Sequence, residues 1–152
     1  MIINKAKVSD AKEILSLQKR AYQSEAELYN DFSIPPLVQT LEEVKEEFKN
    51  QVFLKVVENS KLIGSVRALQ INRDTCYIGR LIVHPDFQNH GIGTKLMKEI
   101  EDIFKECPRF ELITGHKSYK NIRLYEKCGY NIFKTEKLTE NLNLIYLEKF
   151  NL

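Results

Sequence analysis

The sequence predicts one domain of α/β (α+β) class. It reads as a mixed central sheet of about seven strands with about four helices, in the order β-α-α-β-β-β-α-β-α-β-β. Three observations predict it. Segments of alternating apolar residues and segments with apolar residues at helical spacing succeed one another along the chain. A strand-helix-strand-helix run in the middle requires locally parallel strands, because parallel neighbours need a crossover connection. Turn-linked strand pairs on either side make the rest of the sheet antiparallel.

Each element has its own warrant. Ile2–Ala6 alternates as a short strand. Ser9 or Asp10 can cap a helix whose apolar face is Ala11, Ile14, Leu15, Gln18, Ala21 and Tyr22. Gln23 to Gln39 reads as irregular and holds Pro35-Pro36. Thr40 followed three residues later by Glu43 is a capping box, so a second helix starts there, with Leu41, Val44 and Phe48 on one side. Val52–Glu58 and Leu62–Ile71 flank Asn59-Ser60 as a hairpin. Thr75–Val83 is the next strand and stops at His84-Pro85, where proline blocks the ladder. From Gly91 the period becomes helical, with Leu96, Met97, Ile100, Ile103, Phe104 and Cys107 in one stripe and Pro108 as the stop. Phe110–Thr114 is a short strand, and Tyr119–Lys127 a helix with Gly129 as its left-handed cap. Asn131–Leu138 and Leu142–Lys149 make a last hairpin.

Composition narrows the function classes. The 152 residues suffice for a single domain, 1–152, with a core of its own. With 23 basic against 21 acidic residues, the formal charge of +2 argues against nucleic-acid binding as the main task. Apolar runs such as Leu81–Val83 are far short of the roughly 20 residues a membrane span needs. The N-terminus shows no signal-peptide pattern. Cys76, Cys107 and Cys128, an odd number widely spaced, fit reduced thiols in a cytoplasmic protein. Neither they nor His84, His90 and His116 have zinc-ligand spacing, so no metal is expected.

The stretch from Leu81 to Leu96 carries the chemistry. It runs from a strand through His84-Pro85-Asp86-Phe87-Gln88-Asn89-His90 into a helix that starts at Gly91-Ile92-Gly93-Thr94. Glycines admit a ligand close to the backbone. A helix N-terminus offers free N–H groups and partial positive charge, which suits phosphate. A Walker A loop is excluded, because Gly93 is followed by Thr94 and residue 88 is glutamine. A dinucleotide fingerprint is excluded because Leu96 stands where its third glycine belongs.

Val-x-Pro followed by Gln-x-x-Gly-x-Gly resembles motif A of the GCN5-related N-acetyltransferases, the GNAT superfamily. Leu124-Tyr125-Glu126-Lys127-Cys128-Gly129-Tyr130 resembles motif B of the same family. The resemblance implies the GNAT acyltransferase fold, acetyl-CoA as cosubstrate, and a cytoplasmic N-acetyltransferase that moves an acetyl group to a primary amine by direct attack. It implies coenzyme contacts at Leu81, Ile82, Val83, Gln88, Asn89, His90, Gly91, Ile92, Gly93 and Thr94, and on the second motif at Ser118, Asn121 and Tyr125. The last three repeat at spacings of three and four and so share a helix face. The commonest family pattern has asparagine at the position of Ser118. The family also makes a homodimer a reasonable expectation. A CoA-binding regulatory or interaction domain without turnover is the alternative reading.

The chemistry needs an acid, an oxyanion donor and a base. A phenol is protonated at neutral pH and can serve a departing thiolate, which assigns Tyr125 as acid. By resemblance the Leu81 backbone N–H is the oxyanion donor. Some family members use a glutamate on the central strand, but Thr75–Val83 has no carboxylate and offers Tyr77 and Arg80 there. Glu25, Glu27, His116 or a water chain remain as bases. Gln23–Gln39 holds Glu25, Glu27 and Asp31 without a lysine or arginine, and with Tyr29 it is expected to receive a cationic amine. Arg109–Lys134 carries six basic residues against Glu111 and Glu126 and is expected to face the polyanionic coenzyme.

Overall fold

In the computed structural model, which describes residues 1–151, the strands form where alternation predicted them. They are β1 (Ile2–Lys5), β2 (Val52–Glu58), β3 (Lys61–Gln70), β4 (Thr75–Val83), β5 (Arg109–Gly115), β6 (Asn131–Lys137) and β7 (Asn143–Phe150). The helices are α1 (Ala11–Tyr29), α2 (Pro35–Val38), α3 (Leu41–Glu47), α4 (Ile92–Ile103) and α5 (Tyr119–Lys127). One seven-stranded sheet has the order β1-β2-β3-β4-β5-β7-β6. Only the β4–β5 pair is parallel among the described residues; every other pair is antiparallel. The last hairpin folds back so that β7 lies inside and β6 is the exposed edge.

Two apolar layers cover the sheet. On one face α4 and α5 pack Leu96, Met97, Ile100 and Tyr125 against Val56, Ile63, Val66, Ile78, Leu112 and Leu147. On the other, α1 and α3 pack Ile14, Leu17 and Val44 against Phe53, Leu62 and Ile82. The β2–β3 turn places Asn59 and Ser60 at φ 50° and 64°, the left-handed pair that a two-residue hairpin needs. Thr40 and Glu43 form the capping box as expected.

Four local expectations are corrected. The segment read as irregular from Gln23 is helical through Tyr29. Nothing in Gln23–Tyr29 breaks a helix, and Ala26 and Tyr29 extend the buried face, at 0% and 3% exposure. The Pro35-Pro36 loop winds into the one-turn helix α2, whose first turn tolerates proline because those N–H groups need no intrahelical acceptor. Asp10 does not cap α1; its carboxylate instead accepts from the Lys7 N–H and from Lys55 Nζ. Ile103 is 37% exposed and leaves the α4 stripe, while Phe104 and Cys107 stay on the core.

Candidate functional site

β4 and β5 are paired only over Thr75↔Arg109, Cys76↔Phe110 and Tyr77↔Glu111, and beyond this point they have no register partners on each other. On its other side β4 carries a bulge. The register with β3 jumps from Arg67↔Gly79 to Ser65↔Ile82, so Arg80 and Leu81 have no partner, and Arg80 sits at φ 49°. The extra residue shifts the inside–outside phase of the strand. Cys76 and Ile78 face the α4 layer before the bulge, and Leu81 and Val83 pack there after it, while Ile82 joins the α1 layer. The result is a cleft between parallel strands with an unpaired backbone segment at its edge.

The loop after β4 leads to the start of α4. Asn89 and Gly91 both have positive φ, 68° and 76°. A Cβ built at Gly91 would meet nothing within 4 Å, so this glycine serves backbone conformation rather than packing. The first intrahelical bond runs from the Lys95 N–H to the Gly91 carbonyl at 3.1 Å, so the N–H groups of Ile92, Gly93 and Thr94 precede the helical ladder. Ile92 and Gly93 are buried and can offer a ligand only their backbone, whereas Gln88, Asn89 and His90 are exposed. Alternating left-handed residues before a helix start make an anion-binding concavity. The residues therefore fit a phosphate-bearing coenzyme.

Tyr125 projects from α5 into the core beneath that helix and is buried. Burial pushes its phenol far up, and the nearby Tyr22, Tyr77, Glu25 and Cys128 add to the effect, so it stays protonated throughout the neutral range. Cys128 is half-buried, and burial followed by Glu101 raises its thiol, which leaves it a poor nucleophile.

The other wall is built by α1, which packs on β3 and β4. Helical spacing puts Tyr22, Glu25 and Tyr29 on one face and turns Glu27 away, and Glu27 is exposed. Glu27 therefore does not share the site with Glu25. Ser118 Oγ donates to Glu25 Oε2 at 2.5 Å, and Asn121 Nδ2 donates to Glu25 Oε1 at 3.1 Å. The Lys117 N–H donates to Tyr29 Oη at 2.8 Å, and that hydroxyl bonds Ser118 Oγ at 2.8 Å. This chain ties the end of α1 to the turn before α5. Tyr29, expected on an open rim, is 3% exposed and is spent on this tie. The polar ends of Ser118 and Asn121, expected at the coenzyme, are engaged by Glu25. His116 accepts the Asn143 N–H on Nδ1 at 2.9 Å, so that nitrogen is not free to act as a base.

The basic stretch divides. Arg109 is neutralised by Glu111 and Glu148 at 2.9 and 2.8 Å, and Lys134 by Glu136 at 3.1 Å. Lys117, Lys120, Arg123 and Lys127 are exposed around α5.

Sequence reading missed two features. Arg67, 2% exposed, donates to Gln18 Oε1 and Gln39 Oε1 at 3.0 and 2.9 Å and pairs with Glu47 at 3.1 Å, under α1 and beside the site. Gln18 on an apolar face was the available signal. Gly115 is the second: a Cβ there would collide with the Tyr29 hydroxyl. A glycine ending a strand can mark such a close approach.

Among known proteins, the UPF0157 protein YqkA of Bacillus subtilis (strain 168) is 30% identical over 134 residues, 88% of this chain and 38% of that protein. The chain thus spans well under half of that relative's length. Among solved structures, smu.2055 from Streptococcus mutans UA159 is similar with a TM-score of 0.87 at 15% identity, covering 100% of both chains. The PaiA N-acetyltransferase from Thermoplasma acidophilum, solved in complex with coenzyme A, is similar with a TM-score of 0.80 at 19% identity over 98% of each chain. At these identities the two structures speak for the fold. The model of the acetyltransferase (GNAT) family matches residues 12–130, which take in α1, the splayed strands, the Gln88–Thr94 loop and Tyr125, and the chain belongs to that family.

Proposed function

We propose that this chain, as one acetyltransferase domain, transfers an acetyl group from acetyl-CoA to a primary amine of a small molecule or peptide by direct attack in a ternary complex. The observation that carries the reading is the opening of β4 from β5 after Tyr77 and Glu111, with the Gln88–Thr94 loop at one end and Tyr125 on the flanking helix. Acetyl-CoA supplies the acyl group as an activated thioester. The backbone N–H groups of Gln88 to Thr94 would hold its pyrophosphate. Thr94, Lys98, Lys127 and the Glu101–Lys149 pair line one depression beside α4, whose net positive charge comes from Lys98 and Lys127.

The other parts of the mechanism belong to the chain. The Leu81 N–H lies outside the register with β3 and is the donor for the developing oxyanion. Tyr125 holds a proton on Oη and offers it to the departing sulfur. Burial makes a bare phenolate costly, so the Tyr125 proton is replaced by the one the nitrogen sheds after the C–N bond has formed, the earlier ammonium proton having gone to Glu25. Glu25 is the base: it is the carboxylate that α1 brings to the site, two donors hold it in place, and β4 has no carboxylate of its own. A carboxylate on α1 in place of one on β4 favours turnover over the alternative, a binding domain without it.

The test is thiol release from acetyl-CoA in the presence of small amines, polyamines, aminoglycosides and peptides, with Tyr125→Phe beside the wild type. Release that needs both acetyl-CoA and an amine, and that drops in the variant, is expected. Tight acetyl-CoA binding with no release across the panel would instead establish the regulatory reading.

A further inference from the structure

Three arginines are buried or half-buried: Arg67, Arg80 and Arg109. Two have their charges answered, Arg67 by Glu47, Gln18 and Gln39, and Arg109 by Glu111, Glu148 and Thr75. Arg80 makes no ion pair among the described residues, and its Nε is buried without a hydrogen-bond partner. It is also the residue that the β4 bulge holds at φ 49°, a conformation that a non-glycine side chain keeps only when its surroundings impose it.

Its surroundings are on the acceptor side. Burial raises the phenols of Tyr22 and Tyr77, and the Arg80 charge beside them pulls both back down. Burial pushes the Arg67 guanidinium down to about 10, and Arg80 is the like charge that adds to the effect. Two cations and two phenols therefore meet between α1 and β4, and the carboxylate nearest them by sequence on α1, Glu25, already has a donor on each oxygen. A buried N–H donor left unpaired is costly, and a guanidinium fork matches a carboxylate in shape and charge. Glu25, facing the same region, suits an ammonium.

We infer that Arg80 is the docking group for a carboxylate on the acceptor, so that the amine acetylated at this site belongs to an amino carboxylate, such as an amino acid or short peptide, rather than to a polyamine. The inference rests on the acetyltransferase reading above and names the substrate class of that site. Beside the acidic residues expected to receive a cationic amine, the site then carries one charge of each sign.

The test compares kcat/KM for matched pairs: the standard amino acids, β-alanine and dipeptides, each against its own carboxamide. The carboxamide has the less basic amine and would react faster if the carboxylate contributed nothing. The carboxylate form is expected to be preferred by at least about tenfold, the range of a charge-assisted bond. Arg80→Gln should erase the preference while leaving KM for acetyl-CoA within about twofold, and Arg80→Lys should restore part of it. Thermal unfolding of each variant establishes that it is folded. Equal rates, a preference for the carboxamides, or an unchanged preference in Arg80→Gln would overturn the inference while leaving the acetyltransferase reading intact. If no amine of either kind is acetylated, that reading fails, and calorimetry of the same pairs on CoA-loaded protein decides the inference. Tighter binding of the carboxylates, lost in Arg80→Gln, supports it; equal binding or none overturns it.

Discussion

Replacing Gly115 with alanine tests the packing that ties the end of α1 to the turn before α5. Gly115 has no positive φ, so alanine is conformationally welcome and by itself should stabilise by about 0.4–1 kcal/mol through the unfolded state. The structure reverses that sign. The new methyl would overlap Tyr29 Oη and lie 2.6 Å from Cζ, where carbon contacts settle at roughly 3.5–4 Å. Tyr29 would have to retreat by about 1 Å, with overpacking strain of about 1–3 kcal/mol. The retreat breaks the bond from the Lys117 N–H and the bond to Ser118, and stranding the buried partners costs about 1–3 kcal/mol more. The net loss is about 3 kcal/mol, or about 6–12 °C in Tm for a domain of this size. Urea denaturation followed by circular dichroism measures it. In a Tyr29→Ala background the methyl has room, and the same substitution should be neutral or mildly stabilising. Wild-type stability for Gly115→Ala, or an equal cost in both backgrounds, would refute the reasoning. Glu25 shares a helix face with Tyr29, so acetyl transfer should fall along with stability.

Four further outcomes are expected. Tyr125→Phe should lower kcat about 100-fold or more while unfolding within about 1 kcal/mol of wild type, as read from single-turnover thiol release and denaturation. Arg67→Ala should cost about 3–5 kcal/mol in urea, because Glu47, Gln18 and Gln39 lose their shared donor in the interior. Gly91→Ala places a side chain at φ 76°; it should cost roughly 1–2 kcal/mol in stability and weaken coenzyme A binding in calorimetry. For Asp10, burial opposes ionisation, but the Lys7 N–H and the Lys55 ammonium outweigh it and hold the carboxyl below its ordinary value. Its stabilising effect is therefore full above the unfolded value, near pH 4, and is lost as pH falls through the lower folded value. The stability gap between wild type and Asp10→Asn should be constant above about pH 5 and close in acid.

Much of the fold was legible because its signals are local. The Thr40–Glu43 box, the Asn59-Ser60 turn and the bounds of β2, β4 and α5 follow from neighbours within one turn of chain. The Gln88–Thr94 loop was legible for the same reason. The tail of α1 was not, because Pro35-Pro36 weighed on a segment that itself holds no helix breaker, and packing of Ala26 and Tyr29 decided it. The site was half legible. Tyr125 sits in a contiguous motif, but the partners of Glu25 lie 93 and 96 residues away, and no local pattern reports them.

By itself, then, the sequence determined the order of the strands and of every helix but α2, the family motifs and the glycine-marked start of α4, since periodicity, glycine placement and proline act over a few residues. The tertiary structure decided the rest. It placed β7 between β5 and β6, turned Glu27 away while holding Glu25, buried Tyr29 against Gly115, and left Arg80 on a bulge with its Nε unpaired and no ion pair among the described residues. Those outcomes depend on which strands pair and where their register slips, and that is settled only when distant segments compete for the same hydrogen bonds and the same apolar surface.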